Sequence, residues 1–248
     1  MMKILGIIPS RYDSTRFPGK PLVDIQGKTM IQRVYERASE SEQLDKVIVA
    51  TDDSRIFEHV KAFGGEAVMT SSSHLSGTDR CVEAYQLLNE KYDAVINIQG
   101  DEPVIKPCQL NLLAFCFNDD DCEIATLAVK IRTTDILFDS SKIKLVLDSY
   151  NNAIYFSRHP IPYQQKPAET WLENHDYLKH VGIYGFRSDI LLELGKIPAS
   201  SLELAESLEQ LRWMENGYKI KVKTTDFDSI SVDLPTDLYR VNEILNQA

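Results

Sequence analysis

Four short apolar runs, each followed by a polar turn, limit what this chain can fold into. Lys3-Ile-Leu-Gly-Ile-Ile8 is continuous rather than alternating, the pattern of a strand buried on both faces. Lys46-Val-Ile-Val-Ala-Thr51, a short run from Glu66 to Met69, and Asp93-Ala-Val-Ile-Asn-Ile98 repeat it. Between them lie helical spans. Met30, Ile31, Val34, Tyr35 and Ala38 form one apolar face, Asp52-Asp53 can cap a helix over 54–63, and another helix is expected over 78–90. Strand and helix in alternation specify an α/β protein with a mainly parallel sheet covered on both sides. Right-handed crossovers then gather the strand-to-helix turns at one sheet edge, where ligands bind.

The second half is less regular. Strands are expected at 124–131, 143–147, 153–156 and 180–186, with a Pro-rich loop from His159 to Pro167. Ser200 and Glu203 have capping-box spacing before a single helix that ends near Asn216-Gly217, and a last helix follows Pro235. Tyr218 to Lys223 alternates apolar and Lys residues, a half-exposed strand. With no low-complexity linker, the 248 residues read as one domain.

Charge separates one loop from the rest. Lys+Arg number 27 against 37 Asp+Glu, a net −10, which argues against a general nucleic-acid binder. Yet Pro9 to Pro21 holds Arg11, Arg16 and Lys20 against a single acid, Asp13, beside the small residues Ser14, Thr15 and Gly19. Three cations at the ligand edge of the first strand suit a polyphosphate. The loop is neither a Walker sequence nor a G-x-G-x-x-G fingerprint, which disfavours hydride transfer. The fourth strand ends in Gln99-Gly-Asp-Glu-Pro103, which sends Asp101 and Glu102 to the same edge. Carboxylates facing phosphates suit a shared Mg²⁺; the simpler reading makes Asp101 a helix cap. Asp233, before Pro235, is likewise either an N-cap or a second metal acid. His74, Ser76, Thr78, Asp79 and Arg80 suit either a nucleoside pocket or an ordinary helix start. His180 and Tyr184, four apart on a strand, share a face, and Glu209 and Gln210 read as mid-helix residues. The four cysteines contain no C-x-x-C pair and lack His partners at zinc spacing, so reduced thiols are expected. No apolar run approaches the length of a membrane span, and Ile4–Ile8 is too short for a signal segment, so the expected location is the cytoplasm.

Taken in order, Ile8-Pro-Ser-Arg-Tyr-Asp-Ser-Thr-Arg-Phe-Pro-Gly-Lys-Pro-Leu22, His74 with Ser76-Gly-Thr-Asp-Arg80, Gln99-Gly-Asp-Glu-Pro103, Tyr155-Phe-Ser-Arg158, His180-Val-Gly-Ile-Tyr-Gly-Phe186, Leu208-Glu-Gln-Leu-Arg212 and Val232-Asp233 resemble the 3-deoxy-manno-octulosonate (Kdo) cytidylyltransferases. The likeness runs from Lys3 to about Val241 with matching spacing. It implies a Rossmann-like sheet of the nucleotide-diphospho-sugar transferase type, with residues of roughly 130–185 in a smaller sugar-binding lobe that mediates a homodimer. It implies transfer of CMP from CTP to the anomeric hydroxyl of Kdo, releasing pyrophosphate, in lipopolysaccharide synthesis. Arg11, Ser14, Arg16 and Lys20 match the family's triphosphate loop, and Asp101 and Asp233 match its Mg²⁺ ligands. His74, Ser76, Thr78 and Arg80 fall on the cytidine segment, and Gln99 lies between nucleotide and sugar. Arg158, His180, Tyr184, Glu209 and Gln210 fall on the sugar-acid pocket, with Arg158 and His180 expected to meet the carboxylate. The chain departs from the family at Asp79, in place of a Glu, at His159, in place of a small residue, and in Val232-Asp-Leu-Pro-Thr-Asp237, where Val-Asp-Thr-Pro-Glu-Asp is expected. Rival readings are a cytidylyltransferase for sialic acid or another 2-keto sugar acid, a metal-dependent glycosyltransferase that uses a nucleotide-sugar, and a non-catalytic nucleotide-binding module. The last would be expected to have lost Lys20 or Asp101.

Overall fold

The computed structural model describes residues 2–13, 16–228 and 230–247. In chain order the first half comprises β1 (Ile4–Ser10), the short hairpin β2 (Asp24–Ile25) and β3 (Lys28–Thr29), α1 (Met30–Ser39), β4 (Lys46–Thr51), α2 (Ser54–Ala62), β5 (Ala67–Met69), α3 (Gly77–Leu87), β6 (Ala94–Asn97) and α4 (Pro107–Ala114). The second half comprises β7 (Ile124–Lys130), α5 (Thr134–Phe138), β8 (Lys144–Leu147), β9 (Ala153–Ser157), α6 (Trp171–Asn174), β10 (Leu178–Arg187), α7 (Ser188–Leu194), α8 (Ser201–Glu206), α9 (Gln210–Glu215), β11 (Ile220–Thr224) and α10 (Asp237–Gln247).

The sheet runs β11-β7-β10-β6-β1-β4-β5, and the β8–β9 hairpin branches from β10. β1, β4, β5 and β6 are mutually parallel, as are β7 and β11. β10 alone opposes its neighbours β6 and β7 on this path. Because it runs backwards, the start of β10 lies at the edge where β1 and β6 end. His180 therefore reaches the same edge as the turn after β6.

Both faces of the sheet are buried, as the continuous apolar runs require. Ile4 and Ile8 of β1 join Ile31, Val34, Ile56, Leu110 and Leu113 from α1, α2 and α4 in one core. Leu5 and Ile7 point the other way, into a core with Cys81, Leu191, Leu211 and Trp213 from α3, α7 and α9. A small separate cluster of Ile131, Leu137, Trp171 and Tyr177 supports α5 and α6.

Three local readings are corrected. The helix expected from Ser200 to Asn216 breaks: the Ser200–Glu203 capping box starts α8, but Ser207 is left-handed (φ 53°) and α9 begins afresh. Arg158 donates to the carbonyls of Glu206 and Ser207 (2.7 and 3.2 Å), satisfying acceptors at the break. Glu209 consequently stands at the start of α9 rather than mid-helix, and Gln210 is buried. Neither Asp101 nor Asp233 caps a helix. Lys106 precedes α4, and Asp237 accepts the N–H groups of Asp233 and Leu234, both at 2.8 Å. Asp237 thus stabilises the Val232–Asp237 turn despite the family departures at Leu234 and Thr236. Sequence periodicity also missed α4, α5, α6 and α7.

Candidate active site

The basic loop folds back on the end of β1. Gly19 is left-handed (φ 72°) and donates its N–H to the Tyr12 carbonyl at 3.0 Å. A side chain there would meet the Tyr12 ring within about 3.0 Å of its hydroxyl. Lys20 then opens a short 3-10 turn that points its ammonium across the sheet edge. Gly100 serves the opposite wall: a Cβ would lie 2.9 Å from the Pro9 carbonyl oxygen, so only glycine lets the turn after β6 sit this close to β1.

The two walls meet through charge. Lys20 Nζ lies 2.7 Å from Asp101 Oδ2 and 3.9 Å from Asp233 Oδ1, and Arg16 Nη2 lies 2.7 Å from the same Asp233 oxygen. Asp233 arrives from the far end of the chain because a third apolar cluster puts Phe17 and Met30 beside Val232 and Val241. The Val232 N–H also donates to the Asp101 carbonyl at 2.9 Å. Asp101 and Asp233 thus converge on one ammonium. They offer hard oxygen donors, and among the described residues no group of three or more His, Cys, Asp or Glu gathers as a closed metal nest. Such a pair suits Mg²⁺, which keeps positions for phosphate oxygens.

Three adjoining clefts share Gln99. The first, about 240 Å³, is lined by Ser10, Arg11, Arg16, Lys20, Asp101 and Asp233. The second, about 270 Å³, is lined by Asp101, Asp233, Lys142, Lys179, His180 and Gly182. The third, about 130 Å³, holds Arg11, His74, Ser76, Gly77 and Arg80. A larger open groove of about 820 Å³, near Asp119, Asp148 and Lys221, lies at the opposite edge, by the starts of β7 and β11. None of the motifs reaches it.

The second cleft is shaped by a bulge in β10. Gly182 and Ile183 are extra residues between pairs Val181–Leu127 and Tyr184–Thr126. Two extra residues preserve the face, so the His180 and Tyr184 rings still meet, with centroids 5.1 Å apart. The freed carbonyls are used: Gln99 donates to Gly182 O (2.9 Å) and Thr126 Oγ1 donates to Ile183 O (2.7 Å). With its proton committed there, the Thr126 hydroxyl accepts from His180 Nε2 at 2.9 Å. Burial, reinforced by the Lys179 charge, pushes the His180 pKa down to about 3. His180 is therefore a neutral imidazole whose Nδ1 is an acceptor. A neutral acceptor suits a sugar hydroxyl, not the carboxylate that the sequence reading gave it.

In the third cleft the segment from His74 to Arg80 divides into contact and support. His74 Nε2 is held by the Glu83 carboxylate. Ser76 caps α3, its Oγ accepting from Asp79 N at 3.1 Å. Thr78 is buried and donates to Glu209 at 2.8 Å. Burial raises the Glu209 pKa against the hydrogen bonds from Thr78 and Ser76. Arg80, also buried, is tied to Thr70 Oγ1 (2.6 Å), Ser71 O and Asp52 (2.9 Å).

Sequence reading and geometry part company at the sugar-pocket residues. His180 lines the second cleft, whereas Tyr184 and Gln210 are buried, Glu209 is half-buried, and none of these three lines it. Arg158 does not line it: all three donors it uses go to the carbonyls of Ser140, Glu206 and Ser207. Ser14 falls outside the described residues. Glu83, Asp52, Thr126, Lys142 and Lys179 were missed, because each meets the site through long-range packing that no local pattern carries.

With this geometry in view, a cytidylyltransferase family model matches residues 5–220. The chain belongs to the cytidylyltransferase family. Among its relatives, a 3-deoxy-manno-octulosonate cytidylyltransferase of Parabacteroides distasonis is 55% identical over 243 residues, covering 96% of each chain. One of Bacteroides thetaiotaomicron is 54% identical and covers 98% of each. A solved structure of a CMP:2-keto-3-deoxy-manno-octonic acid synthetase complexed with CTP superposes at a TM-score of 0.92, with 43% identity and 99% of each chain covered. Family membership thus extends over the loop, the acidic turn and the sheet edge that joins them.

Proposed function

We infer that this cytidylyltransferase moves CMP from CTP to the anomeric hydroxyl of Kdo, releasing pyrophosphate and activating the sugar for lipopolysaccharide synthesis. The observation that carries the reading is the meeting of Lys20, Arg16, Asp101 and Asp233 at the mouth of two clefts, one cationic and one sized for a sugar. The sugar hydroxyl oxygen bonds to the α-phosphorus, the bond to the α–β bridging oxygen breaks, and pyrophosphate leaves with that oxygen. The hydroxyl proton passes to solvent.

Such a transfer needs positioning and charge more than a protein nucleophile. Arg11, Arg16 and Lys20 hold the triphosphate and offset charge on the departing pyrophosphate. Asp101 and Asp233 hold Mg²⁺, which when bound supplies charge at the phosphate oxygens and acidifies the sugar hydroxyl. The third cleft takes the cytidine, with His74 and Ser76 at its wall and Arg80 behind. Gln99, common to all three clefts, lines the junction of nucleotide and sugar. We further propose a homodimer through the smaller lobe of roughly 130–185, where Phe138, Tyr150, Ile154 and Tyr163 are exposed, and a cytoplasmic location. No helix among the described residues is long and apolar enough to cross a membrane.

Pyrophosphate release from CTP and Mg²⁺, measured with Kdo, with sialic acid and without acceptor, tests the assignment. Release with Kdo alone is expected, and Asp101→Asn should slow it about a hundred- to a thousandfold. Equal release with sialic acid, or unimpaired Asp101→Asn, would remove it.

A further inference from the structure

The acceptor's carboxylate is attached to the same carbon as the attacking hydroxyl, so its countercharge must face the second cleft close to Asp101. Five basic side chains are near enough to consider. Lys20 is engaged by Asp101 and belongs to the phosphate wall. Lys179 lines the cleft, but it is 7% exposed and its ammonium is paired with Asp228. His180 is neutral, and Arg158 is turned away to three backbone carbonyls. Lys142 remains. It is exposed, it lines the second cleft, and among the described residues no carboxylate lies within ion-pair distance of its ammonium.

The turn that carries Lys142 is held from behind. Lys144, fully buried, donates to the carbonyls of Asp139 (2.9 Å), Lys142 (2.6 Å) and Arg158. Asp139 accepts from Ser141 N at 2.8 Å, and Arg158 Nη1 donates to Ser140 O at 3.2 Å. Two buried or half-buried cations thus satisfy the carbonyls of Asp139, Ser140 and Lys142 and leave the Lys142 side chain to the cleft.

Resting on the Kdo-activating reading, we propose that Lys142 binds the acceptor's carboxylate, and that Arg158 is a positioning residue which holds the turn presenting it. The site then discriminates a 2-keto sugar acid from a neutral sugar through a lysine on the loop before β8. The motif-borne arginine acts on the backbone instead.

Kinetics with Kdo and with its methyl ester as a competing ligand separate the alternatives. In the unsubstituted enzyme the ester should bind more weakly than the acid by about ten- to a hundredfold, the range for losing a charge-assisted contact. Lys142→Met, a surface change compatible with folding, should raise KM for Kdo by a similar factor, leave KM for CTP unchanged and abolish the acid-over-ester preference. Lys142→Arg should restore most of it. The proposal is overturned if Lys142→Met keeps the ester penalty, or if that penalty survives in Lys142→Met and vanishes in Arg158→Gln. Failure of the unsubstituted chain to release pyrophosphate with Kdo would strike the parent reading, and this one with it.

Discussion

His180 shows how one residue's environment overrides its usual chemistry. An imidazole at the sheet edge beside the acidic turn invites the assumption of a cation, yet burial and the neighbouring Lys179 charge hold it neutral, with a pKa of about 3. The stability consequence follows in sign. The unfolded chain takes up a proton below about pH 6.5 while the folded chain does not, so stability is lost as the pH falls from there toward 3. Between pH 7.5 and 5.5 the loss attributable to this group is about 1.4 kcal/mol. Urea unfolding at the two pH values should show His180→Gln losing less stability than the parent by about that amount; identical slopes would contradict the neutral imidazole.

Among the elements, the turn after β6 carries the most demanding geometry. Gly100 sits against the Pro9 carbonyl, where any Cβ would meet it at 2.9 Å. Gly100→Ala must push the turn outward and carry Asp101 off the Lys20 ammonium. Its kcat/KM with CTP and Kdo should drop about tenfold or more while the fold persists; a shift confined to thermal stability would show that the close approach serves packing alone. This turn was legible in sequence because Gln99-Gly-Asp-Glu-Pro103 follows a buried strand directly. The α8–α9 break was not. The capping box at Ser200 reads correctly, but the break lies at left-handed Ser207, where Arg158, dozens of residues earlier, satisfies the carbonyls of Glu206 and Ser207. The Arg158 motif was equally visible, but its backbone partners were not.

At the scale of the whole molecule, apolar runs alternating with helical spans were enough to place β1, β4, β5 and β6 in a parallel sheet, since β1, β4 and β6 are short and buried and β5 pairs with β4 at the edge. They could not reveal that β10 inserts backwards between β6 and β7, because a strand's direction in a sheet is set by its connections rather than by its residues. That reversal is what brings His180 and Lys179 to the ligand edge. The exposed Phe138, Tyr150, Ile154 and Tyr163 belong to this scale too. Light scattering should give a particle of twice 28.2 kDa, and Ile154→Asp with Tyr150→Asp should shift it toward one copy; a monomer for the parent chain would refute the dimer.

The ion pair between Arg16 and Asp233 spans 217 positions of sequence. A ribosome adding about 5–20 residues per second needs roughly ten to forty seconds to travel from one partner to the other. Through that interval the nascent polypeptide carries the basic loop without Asp233. On the proposed reading, the acid pair Asp101 and Asp233 is therefore complete only once that long stretch of chain has been made.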